Sequence, residues 1–366
     1  LYGGEGQTPV KRLLEKVPGV NSDGINDMAP CLSQDGLEIF FVRPNVSPGG
    51  TTSQDIFYAS RSSVDEPFSV PVPLAQPLNS AAWAEDGPSL TADALYLFFH
   101  STRAGPGDPV NPKRHYGDIY YAHRTARDQP FSEVIWVNEI DPFVFANSDL
   151  TPWISPDGLT LYFVSTLETT NLNIWKATRG LITEPFSTLV NVTELNSTNY
   201  ERYPALTPDQ LEVVFISKRA TLSGDTTWNF WYANRSSISN PFSAPVELNY
   251  VNTTTKNEWS PFLSADGLEL YYSTNYYSAT GDYDIYQLRR PSRNILFYIN
   301  PNPGRFDITG PISSGPDPNS GGKAFIYVRP NAGGDIKVVV SANRDKKRKL
   351  PDSGLDQIIT IHATAP

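Results

Sequence analysis

Short runs of alternating apolar and polar residues follow one another along almost the whole chain. LEIFFV, LYLFF, LTLYFV, LEVVFI and LELYY are examples, each bounded by Gly, Pro, Asn, Asp or Ser. A period of two over four to six residues, rich in aromatic and β-branched side chains, predicts strands. Asp-Gly or a related pair stands just before each of these runs, the mark of a tight hairpin turn. The pattern predicts an all-β fold of short strands.

The runs belong to a repeat. NDMAPCLSQDGLEIFFV from Asn26 returns as EDGPSLTADALYLFF from Glu85, SDLTPWISPDGLTLYFV from Ser148, YERYPALTPDQLEVVFI from Tyr200 and NEWSPFLSADGLELYYS from Asn257. Its proline falls at Pro30, Pro88, Pro152, Pro204 and Pro261. A second phrase follows each copy: DIFYASR, DIYYAHR, NIWKATR, NFWYANR and DIYQLRR. Four copies then carry a third, EPFSVPVPL, QPFSEVIWV, EPFSTLVNV and NPFSAPVEL. Each repeat therefore predicts four strands: a on the xPxLS segment, b after the turn, c on the DIYYA segment and d on the FSxPVxL segment. Five repeats of this kind predict a five-bladed β-propeller.

The fifth copy lacks its strand d. Before the first copy the chain reads TPVKRLLEKVPGVNS, and the interval from Asn21 to Asp27 equals that from Asn79 to Glu85. The N-terminal segment, about residues 9–20, is expected to complete the last blade and close the ring, which removes exposed sheet edges. Residues 1–290 form the propeller in this reading. Residues 291–366 leave the repeat and carry strand-like runs (NILFYI, KAFIYV, DIKVVV, QIITIHA), predicting a β-rich extension or small domain. Its basic run RDKKRK reads as a solvated hairpin tip or as a docking patch for an anionic partner.

The xxPxLSxDGxxLYF phrase followed by a DIY phrase resembles the WD40-like propeller repeats of the TolB type, often called PD40 repeats. The resemblance covers about residues 10–290 and implies the fold. It implies little chemistry, because such propellers serve as periplasmic scaffolds, surface-binding modules and hydrolase-associated domains. Ala94 and Gln210 replace the turn glycine in the second and fourth copies and suggest altered turn types there.

Composition narrows the function. The 366-residue chain carries a net charge of −10, which repels a phosphate backbone and argues against nucleic-acid binding. No apolar run has the length of a membrane-spanning helix. The single cysteine, Cys31, lies in a strand and reads as a small core residue. No signal peptide is visible from Leu1 onward, so a removed leader or a trimmed chain is expected. Sequons at Asn45, Asn191, Asn196, Asn234 and Asn252 are permissive of a secreted, periplasmic or cell-surface location.

Every copy carries a carboxylate three positions before its proline: Asp27, Glu85, Asp149, Glu201 and Glu258. Strand a lies nearest a propeller's axis, so these five are expected to form an axial ring. They could bridge blades through hydrogen bonds, hold a cation such as calcium, or serve as acid and base. The turn aspartates Asp35, Asp93, Asp157, Asp209 and Asp266 read as hairpin formers. Arg61, Arg124, Arg179, Arg235 and Arg289 close strand c. Long, unequal b–c loops share the face of the acidic ring and bring Lys113, Arg114, His115, Tyr116, Trp228, Tyr276 and Tyr277 to its rim. Asp86, Arg202 and Trp259 stand beside the acids, with Tyr203 and Trp83 close by. Aromatic faces with carboxylates and an arginine suit a sugar, or equally pack between blades.

There is no G-x-S-x-G, HExxH or Walker sequence, and the four histidines show no metal-ligand spacing. The leading reading is a non-enzymatic secreted or cell-envelope propeller, with no required cofactor, binding a protein or carbohydrate ligand. Two alternatives stand beside it: a glycosidase-like enzyme using axial carboxylates, and an assembly subunit docking or self-associating through residues 291–366.

Overall fold

Each copy of the repeat folds into one four-stranded antiparallel sheet. The structure, a computed structural model, describes residues 14–46, 52–103, 117–140, 147–168, 170–221, 227–248, 251–252, 257–278 and 280–290, and the backbone of 334–340 and 357–363. Strands a to d are Met28–Leu32, Glu38–Val46, Thr52–Ser60 and Val72–Pro73 in blade 1. In blade 2 they are Glu85–Leu90, Tyr96–Ser101, Asp118–His123 and Glu133–Trp136. Asp149–Ile154, Thr160–Ser165, Asn173–Thr178 and Thr188–Asn191 build blade 3. Glu201–Leu206, Glu212–Ser217, Asn229–Asn234 and Val246–Glu247 build blade 4.

Blade 5 takes Glu258–Leu263, Glu269–Thr274 and Asp284–Arg289 from the end of the propeller and Leu14–Lys16 from its beginning. Leu14 pairs with Leu288 and Lys16 with Tyr286, and Val17 N–H donates to the Ile285 carbonyl at 3.0 Å. The ring is therefore a five-bladed β-propeller closed by its N-terminal strand. The Asn21 amide grips both backbone groups of Ile285, as Asn79 grips Ile56, Asn196 grips Ile174 and Asn252 grips Phe230. The equal intervals from Asn21 to Asp27 and from Asn79 to Glu85 record this shared clamp on strand c.

The repeated proline has a specific place. In every a–b pair the register shifts at Ala29-Pro30, Gly87-Pro88, Thr151-Pro152, Tyr203-Pro204 or Ser260-Pro261. The residue before each proline is left-handed, with φ between 50° and 64°. At such a bulge the ladder requires no donor, so a residue lacking an N–H is tolerated.

The core lies in the seams between blades. Phe98, Phe163, Trp175 and Phe186 fill one seam; Phe41, Phe57, Phe68, Tyr271 and Ile285 fill another with Val17 and Val20. The Phe of each third phrase covers the arginine that closes strand c: Arg61 on Phe68, Arg124 on Phe131, Arg179 on Phe186 and Arg235 on Phe242, at 4.2–4.8 Å from the ring centres. Each arginine donates from Nε to the turn of its own blade. Arg124 and Arg235 also reach Glu38 and Tyr162 of the preceding blade. In blade 5 this position belongs to Arg290, not to Arg289, which the doubled arginine had suggested. Arg290 donates to the Gly267 carbonyl and to Glu212 of blade 4, whereas Arg289 pairs at the surface with Glu269.

The a–b turns are alike in all five blades. Ser or Thr donates to the turn aspartate, whose Oδ1 also accepts the N–H two residues on. Ala94 and Gln210 keep φ of 58° and 57°, against 70° at Gly36 and 72° at Gly158, so the expected change of turn type does not occur. Cys31 is buried and its thiol is pushed up to about 12 by burial, in keeping with a core residue.

The chain divides into two compact units, Leu1–Ile299 and Asn300–Pro366. In the second, Gly334–Val340 and Gln357–Ala363 pair as an antiparallel ladder. The runs NILFYI, KAFIYV and RDKKRK lie outside the described residues.

Glycine-to-alanine changes at the turn separate the two costs of a side chain there. Gly36→Ala places its Cβ 3.4 Å from Arg61 and meets only the left-handed φ, for an expected loss of about 1 kcal/mol. Gly158→Ala also meets Ile182 Cδ1 at 2.9 Å, for an expected loss of about 2–3 kcal/mol in urea unfolding.

Candidate functional site

Side chains alternate faces along a strand, and this decides what the start of strand a can do. The periodic acids, Asp27, Glu85, Asp149, Glu201 and Glu258, are all at most 1% exposed. Asp27 accepts from Arg43 Nε at 2.6 Å and from Ser22 N–H at 2.7 Å. Glu85 accepts from Ser80 N–H, Ser101 Oγ and Arg103 Nη2. Glu201 takes Ser197 Oγ, Ser217 Oγ and Arg219 Nη2. Arg103 and Arg219 carry these bonds onward to the carbonyls of Leu78 and Leu195. Asp149 and Glu258 occupy the same place, opposite Ser165 and Thr274 on strand b. Burial pushes the Asp27 and Glu85 carboxyls up, against the pull of Arg43 and Arg103.

These acids therefore do not ring the channel mouth. Asp27, Glu85 and Glu201 turn into the protein and tie the d–a loop to the end of strand b. Among the described residues no three His, Cys, Asp or Glu side chains gather as a metal cluster.

The axis itself is filled. Ala29, Gly87, Thr151, Tyr203 and Ser260, with their prolines and with Trp153 and Phe262, enclose a cavity of about 30 Å³. A second cavity, between the a–b turns, measures about 50 Å³ and is bounded by Leu32, Leu90, Ile154, Leu206 and Leu263. Either holds one or a few waters; a small-molecule site needs roughly 300 Å³ or more.

Next to the acids, Met28, Asp86, Arg202 and Trp259 are half-buried, and Leu150 is buried. Tyr203 Oη donates to Asp86 Oδ2 at 3.0 Å, bringing blades 2 and 4 together across the axis. The Tyr203 ring meets Trp259 edge-on at 5.7 Å, and Trp259 meets Trp228 at 5.2 Å. The Arg202 guanidinium lies 5.6 Å from the Trp228 ring centre and Lys218 Nζ lies 5.0 Å from it. Asp86, Arg202, Tyr203, Trp228 and Trp259 thus form one cluster, as their placement in the sequence suggests. Tyr276 instead packs on Tyr277, which leads to Tyr286. His115 and Tyr116, with Lys113 and Arg114, lie outside the described residues.

Two members of this cluster carried no sequence signal. His100, on strand b of blade 2, accepts the Thr151 N–H on Nδ1 at 3.3 Å. Burial and Arg202 lower its pKa while Asp86 raises it, and the net lowering keeps the ring neutral at pH 7. Lys218 follows the buried Ser217 and is turned to Trp228 and Tyr200. Only the loss of the Ser-Thr pair that blades 2 and 3 carry here, Ser101-Thr102 and Ser165-Thr166, could have marked it.

No protein-family model matches the chain, and no curated protein matches it in sequence. Solved structures do. TolB from Acinetobacter baumannii is similar over 75% of this chain and 56% of its own, with 14% identity and a TM-score of 0.42. A mutant of the GH43 protein BlXynB from Bacillus licheniformis is similar over 78% of this chain and 56% of its own, with 12% identity and a TM-score of 0.50. The Podospora anserina α-L-arabinofuranosidase PaAbf62A, solved in complex with cellotriose, shares 11% identity over 75% of this chain and 95% of its own, with a TM-score of 0.46. The chain thus spans about half the length of the TolB and BlXynB chains. The likeness is one of fold: a propeller.

Removing a periodic acid is expected to cost stability. Glu201→Ala leaves the Arg219 guanidinium and two serines without their acceptor, for an expected loss of about 3 kcal/mol in urea unfolding. Asp86→Ala, at the half-buried position next to an acid, is expected to change the midpoint far less.

Proposed function

We propose that this propeller is a non-enzymatic binding module of the cell envelope or exterior, taking a carbohydrate or protein ligand on the face of the b–c loops. The observation that carries this reading is the cluster of Asp86, Arg202, Tyr203, Trp228 and Trp259, gathered from three blades over a plugged axis. Two half-buried indoles offer apolar faces for the C–H side of a sugar or for an apolar side chain. Asp86 accepts hydroxyl or amide protons, and Arg202 donates. Such mixed chemistry recognises; it does not by itself make or break a bond.

The hydrolytic alternative is less well supported. A glycosidase needs two carboxyl groups facing one pocket, about 5–9.5 Å apart. The periodic acids are sealed in the blade seams, and Asp27, Glu85 and Glu201 are already committed to arginine, serine and amide donors. The cavities on the axis are water-sized. Among the described residues, Arg202 and His100 are the charged or titratable groups grouped with Asp86.

A glycan and peptide array with Trp259→Ala and Asp86→Ala controls tests the reading. Wild-type protein is expected to retain at least one ligand class, and Trp259→Ala to weaken it tenfold or more. Incubated oligosaccharides are expected to stay intact. Turnover of a glycoside, or ligand retention indifferent to Trp259, would contradict it.

A further inference from the structure

Arg202 differs from every other arginine that is described. Arg43, Arg103, Arg124, Arg127, Arg219, Arg289 and Arg290 pair with carboxylates, and Arg61, Arg179 and Arg235 donate to carbonyls. Among the described residues Arg202 donates no side-chain hydrogen bond, and its Nε is buried without an acceptor. Its guanidinium lies against Trp228, in a chain whose net charge of −10 leaves acids in excess. Lys218, against the same indole, has no ion pair among the described residues either. A half-buried guanidinium with an Nε that lacks an acceptor costs stability, and an anionic ligand on its remaining donors would offset that cost. The protein's own nearby acid is engaged elsewhere: Asp86 accepts from Tyr203 Oη at 3.0 Å and from Gly87 N–H at 2.5 Å.

The contacts set out an ordered row. Asp86 touches Tyr203, Tyr203 touches Trp259, Trp259 touches Trp228, and Trp228 carries both cations. Asp86 accepts protons, Tyr203 and the two indoles are aromatic, and Arg202 and Lys218 are positive. We propose that this row is a subsite for an acidic sugar, a pyranose whose ring carries a carboxylate. The carboxylate would pair with Arg202 and Lys218, the C–H face would lie on Trp259 and Trp228, and ring hydroxyls would donate to Asp86. A neutral sugar brings no anionic acceptor to Arg202 and Lys218. An acidic peptide satisfies the cations but brings no hydroxyl donors to Asp86. This inference rests on the binding-module reading and adds the ligand's charge.

Calorimetry with matched pairs tests it: 3′-sialyllactose against lactose, and glucuronyl-xylotriose against xylotriose, with a hexaglutamate peptide as the protein-like anion. At least one acidic sugar is expected to bind tenfold or more tightly than its neutral partner, with the difference shrinking in 0.5 M salt. Arg202→Gln is expected to remove the preference while leaving residual affinity for the neutral partner. Lys218→Gln, a change at a half-buried rim position, is expected to reduce the preference about threefold, and the thermal midpoints of both variants verify folding. Equal binding of acidic and neutral partners overturns the inference but leaves the binding-module reading intact. Hexaglutamate binding more tightly than either acidic sugar overturns it in favour of a protein ligand. Absence of binding by both acidic sugars at millimolar concentration also overturns it.

Discussion

Three residue pairs, Leu14 with Leu288, Glu15 with Gln287 and Lys16 with Tyr286, join the beginning of the propeller to its end. Without them blade 5 would present an open edge on Asp284–Arg289, and every seam around the ring could relax outward. The join is short, and other contacts reinforce it. Asn21 holds Ile285, Asn26 accepts the Tyr283 N–H, and Lys16 pairs with Asp284 at 2.9 Å. Val17 and Val20 then fill the seam between blades 5 and 1. Closure fixes the radius of the ring. That radius brings five strand a segments close enough for their bulges to fill the axis.

The seams use charge as a structural material. An arginine at the end of each strand c holds its own a–b turn, and where the third phrase exists a phenylalanine covers it. Blade 5 lacks the third phrase in sequence, and there Arg290, fully buried, meets Glu212. The acids at the start of strand a do comparable work on the opposite face. With both periodic sets committed to the fold, recognition is left to positions where the copies differ. Asp86, Arg202 and Trp259, each one residue beyond an acid, are such positions, and the pleat of the strand turns them away from the seam.

Much of this was legible in the sequence. The prolines, turn aspartates and Asn-to-acid intervals gave blade number and closure, because each answers a local backbone requirement that recurs. Side-chain direction was less accessible. A repeated carboxylate near the axis reads the same whether it faces the channel or a seam; Arg43, Arg103 and Arg219, 16 to 18 residues after their acids and just past the strand b phrase, decide it. The doubled Arg289-Arg290 hid a one-residue offset that only the bond to Gly267 resolves. The turns at Ala94 and Gln210 looked altered because glycine was absent, yet the same two hydrogen bonds to the turn aspartate form there and the left-handed φ is kept. His100 and Lys218 joined the cluster through tertiary contact alone.

Native-state amide hydrogen exchange of Val17 and of the Leu14–Lys16 strand, compared with that of Ile285 and Leu288, tests ring closure most directly. A closed ring predicts that Val17 N–H, which donates to the Ile285 carbonyl, exchanges through the same cooperative opening as blade 5, with matching protection. Exchange of Val17 at the rate of an unstructured chain, with blade 5 still protected, would contradict it.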